Sequence, residues 1–214
     1  KMRVSGSVDP PPSADAPASF VYQDDAFLSR LTVDETLRFA AAIRLAPEAC
    51  AGMVAQATKA MGLQEVATSV VGGGKVRGIS GGERKRLAIG CELIGAEAAS
   101  GALFADEPTS GLDSFQALRI VQTLRDTAQG GRAVLITVHQ PSARLLECFD
   151  DVLLLGAGGR CLFLGPVTKL VPTLERASRG SMPKLIAPAE WALELASVDP
   201  SAPDESRARV DELA

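Results

Sequence analysis

The sequence predicts an α/β fold in which a mostly parallel sheet is interrupted by a largely helical segment. Two stretches carry that expectation. Residues 102–105, Ala-Leu-Phe-Ala, are apolar at every position, as suits a parallel strand covered by helices on both faces. Asp106 and Glu107 follow at once and Pro108 stops further pairing, so two carboxylates stand at the strand's C-terminal end. Residues 79–87, ISGGERKRL, mark a helix start, with Ser80 as N-cap and Glu83 placed to reach back to the cap amide.

Taken in order, residues 2–5 form a short expected strand and 9–18 a loop, given Pro10, Pro11, Pro12 and Pro17. Residues 20–23, FVYQ, form a strand that closes on Gln23, Asp24 and Asp25. Thr32 and Glu35 make a capping box for a helix whose Val33, Leu37, Ala40 and Ala41 share one face, with Arg44 at its edge. Pro47 opens a further helix to Met61, stopped by Gly62. Residues 24–75 are therefore mostly helical. The helix begun at Glu83 is expected to reach about Ala98. After 102–107, the next helix spans 114–128, with Phe115, Leu118, Val121 and Leu124/Arg125 at helical spacing, and Gly130-Gly131 ends it. Residues 133–138 form the next buried strand, followed by His139. Residues 152–155 and 160–164 flank a glycine-rich turn and make a hairpin. Gly165-Pro166 opens a helix, and 199–214, charged and Pro-containing, are expected to be frayed or linker-like.

Composition narrows the function classes. The 214 residues, 46% hydrophobic and 22% charged, fit one globular domain or a slightly split one. A net charge of −4 gives no electrostatic reason to expect nucleic acid as a partner. The four cysteines are scattered without metal spacing, so a reducing compartment is expected. No apolar run approaches the ~18–20 residues of a membrane helix, and the chain by itself is expected to be soluble.

Two stretches have phosphate chemistry in view. Gly81-Gly82 leave backbone N–H groups uncovered at a helix start, where the dipole also favours an anion. The same text equally suits a well-capped surface helix with a basic face (Arg84, Lys85, Arg86). Gly72-Gly73-Gly74-Lys75 invites a phosphate-loop assignment, but G-x-x-x-x-G-K-[ST] needs Gly where Ser69 stands and Ser/Thr where Val76 stands. Residues 72–78 are expected to be a flexible lead into the next helix.

Together, RGISGGERKR at 77–86 and ALFADEPTSGLDS at 102–114 resemble the signature loop and the Walker B/D-loop of ATP-binding-cassette (ABC) ATPases, subfamily G wording above all. The run from FVYQDD into the following helix resembles that subfamily's Q-loop, TVHQPS its switch histidine, and 166–199 the segment closing its nucleotide domain. The resemblance covers roughly 1–199, five motifs in family order. The family commonly has a larger aliphatic residue where Ala105 stands. A lone histidine after a strand is, without the resemblance, more often a core or edge residue.

The resemblance implies a P-loop-NTPase-like nucleotide-binding domain with an inserted α-helical subdomain, divided as 1–23 (start of the core), 24–92 (helical subdomain with the signature), 93–170 (core with Walker B, D-loop and switch) and 171–214 (extension towards a membrane domain). It implies ATP and Mg²⁺ as cofactors. Asp106 would hold the metal largely through water, with Gln23 also addressing metal and attacking water; Glu107 would polarise that water and His139 meet the γ-phosphate. Ser80, Gly81, Gly82 and Glu83 would contact ATP bound to a second nucleotide-binding domain. Ser110, Gly111, Leu112 and Asp113 would form the D-loop. The implied function is ATP hydrolysis that powers transport of a lipid, sterol or xenobiotic class of substrate, at the cytoplasmic face of a membrane and coupled to a membrane domain of the same parent. Walker A and the upstream adenine-stacking aromatic do not occur in the sequence. Residue 1 is expected to lie past them, by truncation or gene decay, and the chain alone is expected to be inactive. A non-catalytic interaction module derived from such a domain is the alternative. A soluble ABC ATPase acting on DNA or ribosomes would bring coiled-coil heptads, tandem cassettes or basic patches, which the sequence does not show.

Overall fold

The computed structural model describes residues 18–23, 26–94, 101–198 and 201–213. The chain divides into two compact units, Lys1–Val138 and His139–Ala214. The expected strand at 2–5, the proline-rich stretch to residue 17, Asp24 and Asp25 lie outside the described residues.

In the first unit β1 (Ser19–Val21), β2 (Ala102–Ala105) and β3 (Ala133–Ile136) form a sheet in that order, parallel throughout. Between β1 and β2 lie α1 (Val33–Ala42), α2 (Pro47–Ala60) and α3 (Gly81–Leu93). Their starts follow from sequence. Thr32 Oγ1 accepts from the Glu35 amide at 3.2 Å while the Thr32 amide donates to Glu35 Oε2 at 2.8 Å. Pro47 occupies the first turn of α2, where its missing N–H costs nothing. Leu37 and Ala41 of α1, Val54 of α2, and Leu87 and Ile89 of α3 are buried together with Met61, Leu63 and Leu103. A Cβ on Gly90 would stand 3.2 Å from Met61 Cγ, so α3 lies close against the end of α2.

Four expectations on this unit need correction. β2 is not covered on both faces among the described residues. Val21, Leu103 and Ala105 are buried, but Phe20, Phe104 and Leu135, paired across the strands on the other face, are half-buried or exposed (Phe20 44%, Leu135 55%). β3 ends at Ile136 and, among the described residues, is an edge strand whose side chains are exposed or half-buried, not a buried strand. α3 ends at Leu93 because Ile94 takes an extended backbone; residues 95–98 lie outside the described residues. Residues 72–78 are a tight, pinned turn. Gly73 and Val76 exchange backbone hydrogen bonds, Arg84 Nη2 donates to the Val71 and Gly72 carbonyls, and a Cβ on Gly78 would meet Val71 O at 2.3 Å. α3 does not begin until Gly81, so no helix starts directly at Lys75 as a phosphate loop requires.

α4 (Ser114–Gln129) begins at Asp113, whose Oδ1 accepts from the Phe115 and Gln116 amides at 2.9 Å each. Its buried residues are Ala117, Ile120, Val121 and Leu124, whereas Phe115 is 66% exposed. The expected run 115–118–121–124 steps by three, and each step falls about 60° short of a full turn, so it drifts off the face.

The second unit holds α5 (Ala143–Leu146) and the antiparallel hairpin of β4 (Asp151–Gly156) and β5 (Arg160–Pro166), as expected from its turn glycines. α6 (Val167–Ser178), α7 (Pro188–Ala196) and α8 (Pro203–Leu213) pack on it. Leu154, Phe163, Leu170, Leu174 and Trp191 form the core with Val210 and Leu213. The last segment is therefore not a frayed linker. Val210 and Leu213 put an apolar stripe of α8 into the core, with Ser206 buried four residues before Val210 on the same face, which the charged composition concealed. Among the described residues no helix is long and apolar enough to cross a membrane. If α8 is integral to this unit, Leu213→Ala lowers its stability by about 2 kcal/mol in chemical denaturation; an unchanged midpoint would return α8 to linker status.

Candidate functional site

Parallel pairing sets the site. Val21, Ala105 and Ile136 are in register, so Tyr22-Gln23, Asp106-Glu107 and Thr137 all leave the sheet at its carboxyl edge. The Asp106 amide still donates to Val21 O (2.9 Å) and the Thr137 amide to Ala105 O (3.0 Å), which extends the ladder one step beyond the strands. Open α/β sheets bind ligands at this edge.

A chain of hydrogen bonds joins the side chains there. Gln23 Nε2 donates to Glu107 Oε2 at 3.1 Å. The Glu107 amide donates to Thr137 Oγ1 at 2.8 Å, and the same hydroxyl donates to Asp106 Oδ1 at 2.6 Å. Glu107 has φ +45°, a left-handed conformation that a non-glycine residue adopts only when its surroundings hold it there. Thr137 is one of those holds. Sequence reasoning passed over it, although a threonine directly after an apolar strand, in line with Asp106, was the available signal.

α3 approaches this edge from the side. Lys85, which one of the two open readings put on a basic surface face, is only 5% exposed, and its Nζ donates to the carbonyls of Tyr22 (2.7 Å) and Gln23 (3.0 Å). At the helix start the Glu83 amide donates to Ser80 Oγ (3.3 Å), and Glu83 Oε2 accepts from the Ser80 amide (2.7 Å) and hydroxyl (2.8 Å). The Ser80 amide, then its hydroxyl, holds the Glu83 carboxyl below the usual carboxylate range. The first N–H groups of a helix have no intrahelical partner, and space beside Gly81 is open to 4 Å. Gly82 differs: a Cβ there would stand 2.9 Å from Leu112 Cδ2, so the Leu112 side chain lies directly against it and would have to shift for a larger residue. Arg86 Nη1 adds a bond to Gln116 Oε1 of α4 at 3.2 Å.

Ser110 donates its amide to Glu107 O at 3.0 Å, Gly111 has φ +73°, and Asp113 is committed to capping α4. Gln23, Asp106 and Glu107 are thus brought together, with Ser110–Asp113 following and Gly82 against Leu112. Ser80 and Gly81 share no described hydrogen bond with the carboxylates. His139 is exposed and opens the other unit. Among the described residues no group of three or more His, Cys, Asp or Glu could hold a metal. The oxygen donors at the edge nonetheless suit Mg²⁺, which binds through one or two carboxylates plus substrate phosphates and water.

A family model described as ABC transporter matches residues 5–110. The chain is 44% identical over 186 residues to ABC transporter G family member 7 of Arabidopsis thaliana, covering 85% of this chain and 25% of that protein. It is 42% identical over 200 residues to G family member 22 of the same plant (89% and 26%), and 37% identical over 203 residues to Protein white of Drosophila melanogaster (92% and 29%). The chain therefore spans about a quarter of the length of these relatives.

Because Glu83 is held below its ordinary value in the folded state, its contribution to stability is complete above about pH 4.5 and is lost as pH falls through the lowered folded value. Glu83→Gln keeps a capping box without the charge. The stability difference between the two forms, measured by denaturant at pH 6 and then stepwise into acid, is expected to shrink below about pH 4.5; a difference independent of pH would contradict the assignment.

Proposed function

Because the chain belongs to the ABC transporter family, in its G subfamily, we propose that it is the ATP-hydrolysing part of a longer G-subfamily transporter. The observation that carries this is the hydrogen-bonded chain Gln23–Glu107–Thr137–Asp106 at the carboxyl edge of a parallel sheet. Glu107 is the general base: its carboxylate, aligned by the Gln23 amide, polarises the attacking water. Asp106, oriented by the Thr137 hydroxyl, holds Mg²⁺ largely through water, and Gln23 turns its amide oxygen to the same shell. Mg²⁺ neutralises charge on the phosphates when bound. His139 addresses the γ-phosphate. Ser80 and Gly81, with Gly82 and Glu83 shaping the turn, face ATP held by a second nucleotide-binding domain, and Ser110–Asp113 lie at that dimer face. The helical segment 24–92 and the core 93–170 divide these tasks, and 171–214 lead towards a membrane domain of the same polypeptide, at its cytoplasmic face. Names of relatives support transport as the coupled process; the substrate is chosen by parts of the transporter other than these residues.

Glu107→Gln in the intact transporter is expected to retain ATP binding and lose turnover by ~10²-fold or more; turnover within a few-fold of wild type would remove Glu107 from this role.

The 214 residues themselves carry no G-x-x-x-x-G-K-[ST], the backbone nest and lysine that grip β- and γ-phosphates. Asp106 and Glu107 repel a triphosphate unless Mg²⁺ accompanies it. The isolated chain is therefore proposed to bind Mg-ATP without saturation at millimolar nucleotide and to lack ATPase activity, leaving it at most an interaction module. Calorimetry is the check: a one-site isotherm would reveal a phosphate grip elsewhere in the chain.

A further inference from the structure

We infer that Lys85 is a positioning residue for hydrolysis, tying α3 to the backbone that carries Gln23. A buried ammonium is costly unless hydrogen-bonded, and Lys85, 5% exposed, places Nζ 2.7 Å from Tyr22 O and 3.0 Å from Gln23 O. These carbonyls lie just past the end of β1, where the chain leaves the ladder and loses its sheet partners. Two charge-assisted bonds on consecutive carbonyls fix the local backbone direction. That direction aims the Gln23 side chain, whose Nε2 reaches Glu107 Oε2. The same helix begins at Ser80 and Gly81, so one side chain links the anion-facing turn of α3 to the carboxylate edge of this domain. The two bonds described for Lys85 go to backbone carbonyls rather than to Asp106 or Glu107. It acts through Gln23.

This inference rests on the hydrolytic reading above. Its test is steady-state ATPase kinetics of the intact transporter carrying Lys85→Met, Lys85→Arg or, as a control, Glu107→Gln, with the melting temperature of each. Lys85→Met keeps most of the stem without the donors and is expected to lower kcat ~10-fold or more, since misalignment of a positioning group by about 1 Å can cost ~10²-fold. KM for ATP and the melting temperature are expected to stay near wild type. Lys85→Arg keeps donors and charge and is expected to restore kcat to within about threefold of wild type. If Lys85→Met does not fold, Lys85→Gln, neutral and shorter, takes its place with the same expectation. Wild-type kcat in a folded Met or Gln variant, equal losses in Arg and Met, or loss of activity only in step with melting temperature would each overturn the inference. A dead Glu107→Gln beside a fully active Lys85→Met would sink the positioning role alone. An active Glu107→Gln would take both proposals down.

Discussion

The parallel register of three short strands is the constraint on which the site depends. With Val21, Ala105 and Ile136 aligned, the residues that follow emerge side by side without any further contact to place them. Each strand is only three or four residues long, so the sheet alone holds these ends loosely. The added precision comes from groups just beyond the ladder. Thr137 uses one hydroxyl twice, accepting from the Glu107 amide and donating to Asp106. A hydroxyl that donates to a carboxylate fixes the plane of that carboxylate. The left-handed turn at Glu107 survives because amide and side chain are both engaged.

α3 is the second organising element, and it is an unusual helix for a surface start. Its first turn is polar and exposed only at Gly81, half-buried from Gly82 to Arg84, while Leu87, Ala88, Ile89 and Gly90 are buried in succession against α1 and α2. A helix buried over much of its circumference cannot rotate to hide a lysine in solvent, so Lys85 has to find carbonyls at the sheet edge. Arg84 meets the 72–78 turn and Arg86 meets Gln116. The charged run ERKR is thus spent on four separate directions of contact rather than on one basic face.

Legibility in the sequence followed from how local the cause was. Both capping boxes, the proline and glycine ends of α2, and the β4–β5 hairpin were readable because neighbouring residues determine them. The carboxylate pair was readable because an apolar strand followed by Asp-Glu-Pro has few other structural meanings. Lys85 was not, since its partners are set by helix packing and the first lies 63 residues away; Thr137 left a signal only in its place directly after an apolar strand, its partner Asp106 lying 31 residues away. The face of Phe20, Phe104 and Leu135 was misjudged: an all-apolar strand signals two covered faces, and the described residues cover one. α8 failed for the opposite reason, because its apolar stripe is narrow and its charge count dominates.

Glu83 shows how a residue of the 80–83 turn can have a structural duty that would serve the proposed functional one. A carboxylate in the first turn would oppose a phosphate approaching the same amides, despite its favourable interaction with the helix dipole. The capping box resolves this conflict by geometry. Glu83 Oε2 is drawn back onto the Ser80 amide and hydroxyl, which absorb its charge in two short bonds. The side of the turn at Gly81 is left without a neighbour within 4 Å, and Gly82 fills the other side against Leu112. The two glycines therefore do different work: the first keeps an approach open to the uncovered amides, and the second lets the 110–113 turn pack onto the helix start. Exchanging either for alanine would test a different property, access at Gly81 and turn packing at Gly82, even though the sequence presents them as a single pair.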